Sequence, residues 1–97
     1  MIRDGWIPLR SLAIFTRRSG DTMLLESYTD AYEMNATGAF IWAQVGGGST
    51  VADIVNSVAS RYEVDSGLAD KAVRGFLEAV LERGFVLPDS VMTGEDR

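Results

Sequence analysis

The 97-residue sequence contains no cysteine and no histidine. Without cysteine there is no disulfide framework, no thiolate nucleophile and no cysteine metal site. Without histidine the usual general base near neutral pH is missing, and so is the commonest metal ligand. Proline occurs twice, and Lys71 is the single lysine, so serine–lysine chemistry would rest on that one residue. No apolar run approaches the ~18 residues that a membrane span needs. The start, Met1-Ile2-Arg3-Asp4-Gly5-Trp6, lacks the apolar stretch of a signal peptide. These absences give the expectation of a cytoplasmic, non-enzymatic protein with no cofactor, no metal and no membrane partner.

What remains is a globular mixture, 46% hydrophobic and 24% charged, sized for one domain. Nine Lys and Arg against fourteen Asp and Glu leave a net charge of −5. That balance disfavours nucleic acid, whose binding rests on phosphate neutralisation, and suits a basic partner. The domain is expected over residues 1–88, followed by a polar tail over 89–97.

Two textures divide the chain near Met34. Before it, Leu12–Thr16 is rich in β-formers, Arg18-Ser19-Gly20-Asp21 is turn-like, and Thr22–Glu26 and Ala31–Met34 read as second and third strands. Strands joined by short turns form an antiparallel meander, which needs helices on one face for stability. The Trp6-Ile7-Pro8-Leu9 segment is a candidate addition to a sheet edge, where proline is tolerated.

Beyond Met34 the spacing is helical. Asn35 caps a first helix over about Ala36–Val45, which Gly46-Gly47-Gly48 stops. Thr50-Val51-Ala52-Asp53 resembles a capping box. Val51, Ile54, Val55 and Val58 follow at i, i+3, i+4, i+7, and Tyr62-Glu63-Val64 closes this second helix. Asp65 or Ser66 caps a third helix running to about Arg83. Its apolar stripe is Ala69, Val73, Phe76 and Val80, widened by Leu77 and Leu81, and Gly84 is its C-terminal cap. Phe85-Val86-Leu87 is a candidate short strand. The order of three strands and three helices predicts an α+β domain of winged-helix type, with a three-stranded antiparallel sheet.

The search for chemistry is largely negative. The acid pairs Asp30/Glu33, Glu63/Asp65 and Glu78/Glu82 are accounted for by turns, caps and solvated helix faces. Gly46-Gly47-Gly48-Ser49-Thr50 lacks the lysine of a phosphate loop and joins two helices rather than following a strand. A winged-helix topology raises DNA binding, but Lys71, Arg74 and Arg83 alternate with Asp70, Glu78 and Glu82, which is a salt-bridged face rather than a basic stripe.

A peptide site has a firmer physical basis. The third strand is a sheet edge with unpaired backbone groups, and an extended peptide can add along Thr29–Met34. Along that stretch stand Thr29, Asp30, Ala31, Tyr32, Glu33 and Met34, with the third helix as the neighbouring wall. Tyr32, Met34, Val73 and Leu77 are candidates to grip apolar side chains. Asp30, Glu33, Asp70 and Glu78 are candidates to attract basic ones. Val73 and Leu77 also fit a purely core role.

Met34-Asn35-Ala36-Thr37-Gly38, then Ile41-Trp42, the glycine-rich turn and Thr50-Val51-Ala52-Asp53-Ile54 resemble the PqqD-like family. Tyr62-Glu63-Val64-Asp65, Phe76-Leu77, Leu81 and Gly84-Phe85-Val86 continue the resemblance, which covers Leu12 to Leu87. The resemblance implies three strands followed by three helices. It also implies a non-catalytic element that recognises the leader of a ribosomally made, modified precursor peptide. The leader would add as a strand on the third strand, against the third helix, and the third-helix arginine position is Arg74.

Members serving pyrroloquinoline quinone synthesis carry Pro-Glu after the second strand and Cys-Asp-Gly after the first helix. Here those places hold Glu26-Ser27 and Gly46-Gly47-Gly48, and Ala72 replaces an aspartate. Gly75 inside the third helix is also unusual, at a cost of roughly 1 kcal/mol relative to Ala. A small acidic protein of this kind resembles the recognition proteins of lasso-peptide clusters, whose partners are the precursor leader, a leader peptidase and a cyclase. The alternatives are another modified-peptide pathway or a winged-helix DNA-binding module.

Overall fold

A computed structural model describes residues 2–88; the expected tail over 89–97 lies outside the described residues. The elements are β1 (Phe15–Ser19), β2 (Thr22–Glu26), β3 (Ala31–Met34), α1 (Ala36–Trp42), α2 (Val51–Tyr62) and α3 (Ser66–Glu82). The strands form one antiparallel sheet in the order β1-β2-β3, with Ser19 opposite Thr22 and Met23 opposite Met34. This is the α+β arrangement that the sequence predicts.

β2 and β3 fall where the alternation places them, and β1 lies three residues later than expected. Ala13 sits in the left-handed region at φ 63°, which interrupts an extended chain before Phe15. Leu12 is 93% exposed, so its β-propensity has no core to pack against. At the other end the turn is tight, only Gly20-Asp21, and the ladder therefore continues to Ser19.

The β2–β3 turn is held by local side-chain bonds. Ser27 N–H donates to the Asp30 carbonyl at 2.9 Å, and Ser27 Oγ accepts from the N–H groups of Thr29 and Asp30. Such side-chain bonds supply backbone partners where no ladder does.

Helix caps follow the sequence closely. Asn35 Oδ1 accepts from Gly38 N–H at 2.8 Å, and Asp65 Oδ1 accepts from Leu68 N–H at 2.8 Å. Thr50 and Asp53 form the reciprocal capping box. α1 is shorter than expected: after Trp42 the chain tightens, with the N–H of Gln44 and of Val45 reaching back only three residues. Gly84, at φ +78°, ends α3 as its position predicts.

The N-terminal segment corrects an expectation. Trp6-Ile7-Pro8-Leu9 does not join the sheet. The carbonyls of Asp4 and Trp6 instead serve the start of α2, whose first N–H groups have no intrahelical partner, and those of Pro8 and Leu9 accept from Gly46 and Leu87. Val51 N–H donates to the Trp6 carbonyl at 2.9 Å, and Ala52 N–H to the Asp4 carbonyl at 3.0 Å. Trp6 and Ile2 are buried there. The Phe85–Leu87 strand reduces to a single antiparallel bridge between Arg10 and Val86.

The core lies between the sheet and the helices. Leu25 and Met34 meet Ile41 of α1, Val51, Ile54 and Val58 of α2, and Val73, Leu77 and Val80 of α3. The five residues of β1 are all exposed, whereas β3 buries Met34 and half-buries Tyr32. The helices therefore support the β3 end of the sheet. Among the described residues no helix is long and apolar enough to cross a membrane.

Candidate functional site

The features that set β3 apart are its free backbone edge and the cleft beside it. In an antiparallel ladder, residues alternate between bonding their neighbour and pointing outward. The Ser27–Asp30 bond fixes the phase. In the register of β2 and β3, Tyr32 and Met34 then bond to β2, and Ala31 and Glu33 turn their backbone groups outward. Ala31 N–H is taken by its own neighbour, Asp30 Oδ1, at 2.8 Å. The open groups are the Ala31 carbonyl and both backbone groups of Glu33.

Alongside runs a cleft of about 420 Å³ between β3, the start of α1 and α3. Tyr32 and Met34 form its strand side, Gly38 and Ile41 its base, and Ala72, Gly75 and Phe76 its helix wall. Phe76 anchors that wall, with its ring centroid 6.2 Å from Tyr32 and 6.5 Å from Trp42 in tilted and edge-on contacts. Lys71, Asn35 and Thr37 add polar groups to the lining, and Glu33 joins it along the strand, its side chain alternating to the other face from Tyr32 and Met34.

Outside the cleft lining, Arg83 packs on Tyr32. Its guanidinium lies 4.8 Å from the Tyr32 ring centroid and reaches Asp30 Oδ1 at 3.0 Å and Oδ2 at 2.9 Å. Asp30 thus binds both its own strand and the end of α3. Exposed Thr29 sits in the turn above it.

The other site expectations fall elsewhere. Val73 and Leu77 are wholly buried and back the wall from inside. Asp70 and Arg74 lie on the opposite flank of α3. Arg74 Nε donates to Asp70 Oδ1 at 2.8 Å, and its other nitrogens donate to the Ile2 carbonyl and to Asp4 Oδ1. The hydrogen bond it donates to Asp70, with the charges of Asp70 and Asp4, raises the Arg74 guanidinium above its ordinary value against a desolvation penalty. Glu78 is exposed and does not line the cleft.

Sequence reasoning missed Gly75, Lys71, Arg83 and the start of α1 as parts of this site. The signal was present as helical phase: Ala72 and Arg83 flank the buried stripe on the side of Phe76, and Asp70 and Arg74 flank it on the other. Spacing alone does not say which flank meets β3. Among the described residues no group of three or more acidic side chains gathers as a metal site.

Comparison with known proteins adds three findings. The family model described as Coenzyme PQQ synthesis protein D matches residues 21–86. No curated protein sequence matches the chain. Two solved structures share the fold. One, described as TbiB1 in complex with the TbiA(beta) leader peptide, is 24% identical with a TM-score of 0.70, covering 80% of this chain and 93% of that one. The other, described as lasso peptide synthetase B1 complexed with the leader peptide, is 23% identical with a TM-score of 0.74, covering 84% and 99%.

Proposed function

The chain belongs to the PqqD family, and from that premise we propose that it is a leader-peptide recognition protein of lasso-peptide biosynthesis. It binds the leader of a ribosomally synthesised precursor as a fourth strand on β3 and delivers it to a leader peptidase. Its role is binding, and the bond-making steps belong to the partner enzymes.

The observation that carries this reading is the pairing of an open strand edge with a cleft of mixed polar and apolar lining. Glu33 N–H and the carbonyls of Ala31 and Glu33 offer main-chain bonds, which give affinity whatever the peptide sequence. Tyr32 and Ala72, backed by buried Met34, Ile41 and Phe76, offer apolar surface to alternate side chains. The two solved structures of the same fold are described as leader-peptide complexes. Ser27 and the triple glycine also depart from the residues that pyrroloquinoline quinone members carry, which favours the lasso branch. Asp30 is engaged by Arg83, and Asp70 by Arg74, so Glu33, whose side chain lies on the open face of β3, is the acid left to meet a basic leader residue along the strand.

The test is fluorescence polarisation with the fluorescein-labelled leader of the precursor encoded in the same gene cluster. Saturable binding is expected. Glu33→Pro removes an outward N–H that β2 does not use, and should weaken binding about tenfold or more while leaving the melting temperature nearly unchanged. Thr16→Pro, at the outward phase of β1, should leave binding intact. No saturation at tens of micromolar overturns the reading. Loss in Thr16→Pro with retention in Glu33→Pro moves the peptide to the other edge.

A further inference from the structure

Two helical glycines line the cleft, and internal packing explains only one of them. A Cβ at Gly38 would come within 3.2 Å of the Phe76 ring and 3.4 Å of Asn35 Oδ1, so α1 needs glycine to sit against α3. A Cβ at Gly75 would meet nothing within 4 Å among the described residues. Gly75 is exposed, lies mid-helix within Ser66–Glu82, and has no positive φ that would demand glycine. Glycine there weakens the helix relative to alanine. The described fold gains nothing from it, so the reason for it lies outside those contacts.

We propose that Gly75 is a specificity-determining residue of the cleft: its missing side chain leaves the space that admits one bulky apolar side chain of the bound peptide. The inference rests on the leader-binding reading and deepens it. A fourth strand would lie about 4.8 Å beyond β3 and direct every second side chain toward the helices. Gly75 lies on the helix wall facing that position, with Tyr32, Ala72 and Phe76 beside it and Asn35, Thr37 and Lys71 also on the lining. The missing side chain at Gly75 therefore sets the size of the residue admitted, in the range of leucine, methionine or an aromatic ring.

The test combines stability with a peptide scan. Gly75→Ala should raise the melting temperature by about 4–8 °C through helix propensity alone. Gly75→Leu should lower affinity for the fluorescein-labelled leader about tenfold or more by filling the space. The leader is then tested with each apolar residue changed in turn to alanine. With the wild-type protein one such change should cost most. With Gly75→Leu that same change should cost little, because the side chain it removes no longer fits.

Gly67→Ala, on the same helix but beside Asp65 rather than the cleft, serves as the control and should bind as the wild type does. If Gly75→Leu folds, binds the leader as tightly as wild type and keeps the same alanine profile, the role of Gly75 is overturned while leader binding stands. If the wild-type protein binds no leader, the broader reading fails first and this one with it.

Discussion

The two flanks of α3 carry opposite kinds of chemistry. On one, Asp70 and Arg74 are tied to Asp4 and to the Ile2 carbonyl, and the surface is spent on holding the N-terminal segment. On the other, Ala72, Gly75 and Phe76 present a smooth, weakly charged wall beside an open strand edge. A charged network on a helix thus marks a fixed intramolecular contact here, and the bare flank is the surface we propose for a partner. The sheet repeats the contrast: β1 is an edge with no helix beside it, and β3 is an edge with a wall.

The largest expected effect tests the stripe between the flanks. Leu77 is fully buried, so Leu77→Ala should destabilise the fold by about 2–5 kcal/mol in denaturant titration. Where the variant remains folded, it should bind the labelled leader nearly as wild type does. A selective loss of affinity at unchanged stability would give Leu77 a direct part in the cleft.

A smaller effect should come from the charged flank. Arg74→Met removes the links to Asp70, Asp4 and Ile2 and should cost about 1–2 kcal/mol, because those bonds are charge-assisted but partly solvated. Leader affinity should hold. A large drop in affinity without a drop in stability would erase the distinction between the flanks.

The smallest effect lies on the open face of the sheet. Arg17 donates two hydrogen bonds to Glu26, at 3.1 and 2.7 Å, which lowers the Glu26 carboxyl below its ordinary value. A group lowered on folding stabilises above its unfolded value and loses that contribution as the pH falls through its folded one. Wild type should therefore exceed Glu26→Gln slightly in stability at neutral pH, and the gap should close in acid. Both partners are solvated, so the gap should also shrink with salt. A gap that widens on acidification would reverse the assignment.

Much of this was legible from residue order. The caps at Asn35, Thr50 and Asp65, the stripe from Ala69 to Val80, and two of the three strands follow from local rules, because each depends on neighbours within a few positions. β1 was misplaced because its β-formers begin before a backbone reversal at Ala13 that spacing does not reveal. Trp6 to Leu9 reads as a candidate for the sheet edge because an apolar segment carries no record of which surface it covers. In the structure its carbonyls serve three places: Trp6 accepts from Val51 at the start of α2, Pro8 from Gly46 and Leu9 from Leu87.

For the candidate site, the sequence by itself determined that the third strand is an edge and that a third helix stands near it. A short meander must end in an open strand, and a periodic stripe must face a core. Only the tertiary structure decided which flank of α3 turns toward that edge. A buried stripe has two neighbours at equal angular distance, and the choice between them is made by packing against α1 and the N-terminal segment. That choice put Gly75 and Phe76 in the cleft and Asp70 and Arg74 outside it, a result of contacts between residues far apart in the chain.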